Sequence, residues 1–199
     1  MTLWTIQNID QYNNLLREGF VSGNSKYIYP LFSDGYKWMI DQMHKRLSNK
    51  PNSSSHPIWA WYQFENSKKK KPDLRYKGIA GEKGEEFVLL DINKDETEVL
   101  LSDFDLWHFP LSYQSYIGDS EQDTLLFEQE LTNLGFDSKL NDEFPPFYAN
   151  KIIDSWNKIF DLNYEEPYFT YPKDQKSIQA TFWKLSLSEV VSVRHFISK

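Results

Sequence analysis

The sequence predicts an α+β fold, a mixed and mostly antiparallel sheet with four main helices. Three observations carry that prediction. Strand-length runs of aromatic and β-branched residues stand near both ends of the chain and in its middle. Between them lie stripes of apolar residues at helical spacing. The 199 residues contain no internal repeat and no clear linker, so residues 1–199 read as a single domain.

In chain order, residues 3–7 form a first strand, with Trp4 and Ile6 on one face and Thr5 and Gln7 on the other. Asn8 or Asp10 can cap the following helix, whose Ile9, Tyr12, Leu15 and Leu16 share a side, and Gly19 can end it. Residues 20–30 then connect to a second helix. Ser33 or Asp34 can cap that helix, and Tyr36, Met39, Ile40, Met43 and Leu47 form one stripe. Trp38 lies nearly opposite the stripe, where it packs under a second layer, lines a cleft or meets a partner. Residues 48–56 are a polar loop.

The aromatic run 58–64 predicts a central strand covered on both sides. Ile58, Ala60, Tyr62 and Phe64 take one face, and Trp59, Trp61 and Gln63 the other, where they can form the wall of a pocket. Residues 86–92 and 98–101 read as two strands joined in a hairpin. A helix capped by Ser120 follows, with Leu126, Phe127, Leu131 and Leu134 on its apolar side. After a rigid Phe144-Pro145-Pro146-Phe147 connector comes a helix striped by Ile152, Ile153, Trp156, Ile159 and Phe160. Strands over 177–185 and 190–197 close the chain. On the first of these, Gln179, Thr181 and Trp183 share a face.

Composition narrows the function. Aromatics make up 17% of the chain, with 7 Trp, 12 Tyr and 14 Phe, enough to fill a core and to furnish stacking surfaces in clefts. The absence of cysteine removes disulfides, thiol nucleophiles and zinc–thiolate sites. The net charge of -7 argues against broad adhesion to nucleic acid or anionic lipid, so nucleic acid as a partner rests on a local site alone. The first residues lack a signal-peptide pattern, and no apolar run approaches the roughly 20 residues of a membrane span, so a cytoplasmic, non-membrane protein is expected.

Candidate chemistry is sparse. Phosphate-binding glycine loops and a nucleophile elbow are both absent. Asp103 and Asp105 follow a strand end, where they either cap the next turn or act as a catalytic acid or base. Their spacing of two does not set them on opposite sides of a bond. With His108 they contain three groups able to bind a divalent ion, a pattern common by chance, and no metal is expected. Lys68, Lys69, Lys70 and Lys71 form either a solvated loop or a phosphate-facing one beside an aromatic wall. Arg75 is the more specific anion ligand, because a guanidinium grips a carboxylate or phosphate with two parallel bonds.

Several segments carry a resemblance: Leu3-Trp4-Thr5-Ile6-Gln7, Tyr36-Lys37-Trp38-Met39, Pro57-Ile58-Trp59-Ala60-Trp61-Tyr62-Gln63, Lys71-Pro72-Asp73-Leu74-Arg75, residues 99–108, and Ile178-Gln179-Ala180-Thr181-Phe182-Trp183. Together they resemble a bacterial family labelled domain of unknown function 3841, over nearly the whole chain. More distantly, the opening strand, helix and glycine are similar to ADP-ribosyltransferase-like domains. That likeness implies a nicotinamide-dinucleotide ligand, a histidine or arginine on the first strand and a catalytic glutamate on a late strand. Thr5 and Gln179 stand near those two positions. A glutamine cannot supply the anion that supports an oxocarbenium-like centre.

Three readings of function follow. In the first, a nucleotide- or NAD-handling domain uses Trp38, Trp59 and Trp61 as an aromatic wall. Lys37 and Arg75 hold phosphates, and Gln7 and Gln179 hold polar ring groups, Gln179 being the candidate catalytic position. In the second, a non-enzymatic module binds protein or nucleic acid through exposed aromatics and the four-lysine loop. In the third, an enzyme uses Asp103 or Asp105 as a catalytic base.

Overall fold

Asn8 opens the first helix as its side chain suggests, and with it the frame of the molecule. A computed structural model describes residues 1–49, 51, 55–113, 115–136 and 144–199. Strand β1 (Thr2–Asn8) runs into helix α1 (Ile9–Glu18), where the Asn8 carboxamide oxygen accepts from the Gln11 amide at 2.8 Å. Gly19 ends α1 in the left-handed region at φ 77°, which glycine adopts without strain. The expected connector at 20–30 contains a short strand, β2 (Phe20–Ser22), and two 3-10 turns. Helix α2 (Ser33–Arg46) starts straight from the second of these turns. Its N-cap is Phe32 with no side-chain bond, so neither Ser33 nor Asp34 caps it. Residues 50 and 52–54 of the expected polar loop lie outside the described residues.

Strand β3 (Ile58–Gln63) is central, paired with β1 on one side and β6 (Ile178–Phe182) on the other. Strand β4 (Glu86–Asn93) pairs along its length with β1 and then with β8 (Val190–Ile197). The expected hairpin of β4 with the next strand is overturned. Strand β5 (Leu100–Asp103) pairs with β6 at the far edge of the sheet, so the order is β5-β6-β3-β1-β4-β8. The reason lies in Val99 and Leu101, which carry the 3-10 turn at Glu96–Glu98 across the apolar layer shared by Ile92, Ala180 and Phe182. Among the described residues, all the strand pairings are antiparallel.

The late strand is also shorter than its pattern. After Phe182 the chain leaves the sheet, and β7 (Lys184–Ser186) pairs with β2 in a two-stranded ribbon. The faces then separate cleanly. Leu3, Ile58, Ala60, Val88, Leu90, Ile92, Ala180 and Phe182 point to one side, where Leu15 of α1, Val21 and Leu185 close a core. Each fully buried aliphatic side chain there contributes about 1.5–3 kcal/mol.

The opposite face carries the helical layer. Asp103 caps α3 (Phe104–His108), which continues as a π turn over Phe109–Tyr113. Helix α4 (Glu121–Asn133) is capped by Ser120, and α5 (Pro146–Ser155) passes into a 3-10 turn at Trp156–Phe160. The Pro-Pro connector therefore supplies the start of α5 rather than a spacer, as proline's fixed φ allows at a helix N-terminus. Trp38, Met39, Met43, Leu106, Trp107, Phe127, Leu131, Ile152, Trp156 and Ile159 form this second core. Leu126, Leu134 and Ile153, expected on buried stripes, are exposed instead. Each helix meets the layer through a narrower face than its apolar pattern suggested.

Candidate functional site at the strand ends

The C-terminal end of β1 and the N-terminal ends of β3 and β4 converge with the first turn of α1. Between them lies a cavity of about 870 Å³, lined among others by Gln7, Tyr36, Trp59 and Phe87. The volume falls within the range typical of small-molecule sites.

Sequence and local structure fix its walls. Thr5 donates its hydroxyl to the Trp59 carbonyl at 2.8 Å and accepts from the Gln7 side-chain amide at 2.7 Å. This relay pins the Gln7 carboxamide to β3 and leaves its oxygen without a protein donor among the described residues. Tyr36 stands edge-on to Trp59, ring centroids 5.7 Å apart, and edge-on to Trp107 at 6.1 Å. Burial pushes the Tyr36 phenol above its ordinary value. Gly35 lets α2 come this close, because a Cβ there would sit 2.7 Å from the Pro110 carbonyl oxygen. Gly23 does the same at the cavity floor, where a Cβ would meet the Pro57 carbonyl oxygen at 2.2 Å.

The rim is polar. Asp10, Glu85 and Glu86 supply carboxylates, and Lys26 and His56 supply basic groups. Gln11 donates to the Ser22 carbonyl at 2.8 Å, which ties α1 to β2 beside the opening. An aromatic wall, an anchored amide and a rim of acceptors suit a planar heterocycle carrying hydroxyl groups.

The expected site residues do not gather in one place. Gln7 and Trp59 line this cavity. Lys37 and Trp38 line a separate groove of about 1130 Å³ between α2 and α5. There Lys37 pairs with Asp34 at 2.8 Å, and Trp38 packs against Trp156 and Phe160. Arg75 turns back on Asp73, which holds that carboxyl down at about 2. Trp61 packs on Phe64 and Phe104. Gln179 lies opposite Trp61 and Ser102 on the neighbouring strands and is 6% exposed. Its amide nitrogen and the Ser102 hydroxyl have no hydrogen-bond partner among the described residues. Of the four consecutive lysines, Lys69 pairs with Glu65, Lys71 with Asp91, and Lys70 sits over the Tyr62 ring.

Asp103 is fully buried and fully bonded. One carboxylate oxygen accepts from the Asp105 and Leu106 amides, at 2.9 and 3.2 Å. The other accepts from the Thr170 hydroxyl and from Lys176 Nζ, at 2.5 and 2.6 Å. Lys176 is itself completely buried and also donates to the Tyr164 carbonyl at 2.8 Å. Asp103 thus caps α3 and anchors the 164–176 loop in one stroke. Asp105 has no such partner, and burial, with Asp103 nearby, pushes its carboxyl above the usual range. Among the described residues no cluster of three or more His, Asp or Glu side chains is placed to hold a metal ion.

Sequence reading missed the buried cations. Lys176 carried no motif. Lys94, in what reads as turn material, is also buried and pairs with Glu98 and Glu189 at 2.8 and 2.7 Å. Tyr36 belongs to the apolar stripe in sequence, and its share in the cavity wall comes from its contact with Trp59 on β3, which nothing in the local pattern of α2 marks.

Fold and cavity together define a class: an α+β protein on an antiparallel sheet with a ligand-sized cavity at its strand ends. A family model described as Domain of unknown function (DUF3841) matches residues 2–191, and the chain belongs to that family. No curated protein and no solved structure matches it. Among the described residues no helix is long and apolar enough to cross a membrane.

Proposed function

We propose that the protein binds a nucleoside-containing small molecule, with NAD as the leading candidate, in the cavity at the ends of β1, β3 and β4. The observation that carries this reading is a single cavity that takes in the Tyr36–Trp59 corner on one face of the sheet and, around the strand ends, the anchored carboxamide of Gln7 on the other. An aromatic corner of this kind accepts the face or edge of a planar base, and a fixed amide reads a ring's polar edge. Asp10, Glu85 and Glu86 offer acceptors to ribose hydroxyls. Lys26 and the N-terminal turn of α1 offer positive potential to a phosphate.

The distant likeness to ADP-ribosyltransferase-like domains points to the same ligand. Binding, rather than group transfer, is the extent of the proposal, because Gln179 does not line the cavity. The second reading, a nucleic-acid module built on the four-lysine loop, draws less support. Three of those lysines already have partners within the chain.

Titration of NAD, nicotinamide mononucleotide and adenosine against intrinsic tryptophan fluorescence tests the proposal. Saturable quenching is expected for at least one of them, with affinity about tenfold weaker in Gln7→Ala, the loss of one good hydrogen bond. Absence of any change at millimolar ligand contradicts it.

A further inference from the structure

The six-stranded sheet protects one edge and leaves the other bare. At the β5 edge, the Trp156–Phe160 turn packs against the strand. At the opposite edge, β8 pairs with β4 alone. An open edge of this length is a template for a further strand. Its side chains add to the attraction: Val193 is 37% exposed and Ile197 60% exposed. Both lie on the face defined by their neighbours across the pair, Leu90 and Glu86, with His195 between them.

We propose that this edge is a dimer interface, in which β8 pairs antiparallel with β8 of a second copy about a twofold axis at His195. The sequence of the strand selects the partner and the register. Centred on His195, the pairing sets Val193 opposite Ile197 of the other copy, twice, and sets Arg194 opposite Phe196. Val193 and Ile197 then meet as apolar pairs, the Arg194 stem lies against the Phe196 ring, the two His195 rings meet at the axis, and no two guanidinium groups face each other. Centred on Arg194, it would bring two guanidinium groups together. Centred on Val193, it would run into the bulge at Val191, the residue left unmatched where the β4 register shifts between Asp91 and Ile92. With β8 the one unpaired edge that the six-stranded sheet leaves uncovered among the described residues, two copies use up both such edges. The assembly therefore closes as a dimer and does not grow into a fibre.

Sedimentation equilibrium of the chain tests this. The expected mass is twice the 23.7 kDa of one copy, falling to one copy in Val193→Lys/Ile197→Lys, whose exposed positions leave the fold intact by circular dichroism. His195→Cys adds the sole thiol of the chain. Residues facing across an antiparallel pair lie about 4.5–5.5 Å apart at Cα, within disulfide reach, so mild oxidation should give a covalent dimer. Ser192→Cys should not cross-link. A monomer at high micromolar concentration, an open-ended polymer, a dimer indifferent to the double lysine variant, or cross-linking at Ser192 in place of His195 would each overturn the proposal.

Discussion

At the residue scale, Asp103 shows why an acidic pair after a strand end is ambiguous in sequence. Its carboxylate has four donors, and one of them is the fully buried Lys176. Asp103→Asn keeps a capping side chain but leaves that ammonium without a counter-charge, so urea unfolding should show a loss of about 3–5 kcal/mol. Adding Lys176→Met should restore much of the loss, because apolar replacement of a buried pair is often neutral. Full stability in Asp103→Asn would contradict the structural role. Asp105 behaves oppositely. The folded state holds its proton more tightly than the unfolded chain, so the cost of ionising it is absent below the unfolded value, about 3.9, and sets in as pH rises through the folded one. Asp105→Asn should therefore be more stable than the parent near neutral pH, with the advantage vanishing in acid. A pH-independent difference would count against burial as the cause. Lys176 was illegible in sequence because its counter-charge, Asp103, lies 73 residues away, and Lys94 because its nearby Glu98 marks an ordinary surface pair while the burial comes from the distant Glu189 and Lys184 segment.

At the element scale, helices with side-chain signals were legible: Asn8, Gly19 and Ser120 cap where their chemistry allows. Strand partners were not. The β4 and β5 segments look like a hairpin because they are adjacent and joined by turn residues, yet a 3-10 turn carries β5 across the sheet to β6. Likewise Trp183 continues an alternating pattern while the chain has already turned toward the β2 ribbon. Alternation reports which face a residue takes and is silent on which sheet it joins. The placement of α2 gives a test at this scale. Gly35→Ala would put a methyl against backbone at 2.7 and 2.8 Å from Pro110 and Leu111, so α2 must shift and carry Tyr36 with it. A stability loss of about 1–3 kcal/mol is expected by thermal or urea unfolding, with weaker ligand binding. Unchanged stability and affinity would show that α2 does not set the cavity wall.

At the scale of the whole molecule, two apolar layers sandwich the sheet, and the cavity opens at the strand ends beside both. The fold class was legible because periodicity reports layers. The site was legible only in part. Gln7 and Trp59 reach the cavity, whereas Lys37, Trp38, Trp61, Arg75 and Gln179 are distributed over other surfaces by the strand order and by partners of their own. The proposed ligand enters the strand-end cavity rather than the α2–α5 groove or the Gln179 face. Amide chemical shifts recorded during an NAD titration address this placement residue by residue. Saturable shifts are expected at Gln7, Gln11, Asn24 and Phe87, with little change at Lys37, Trp38 or Gln179. Shifts confined to those last three, or none at all, would contradict it.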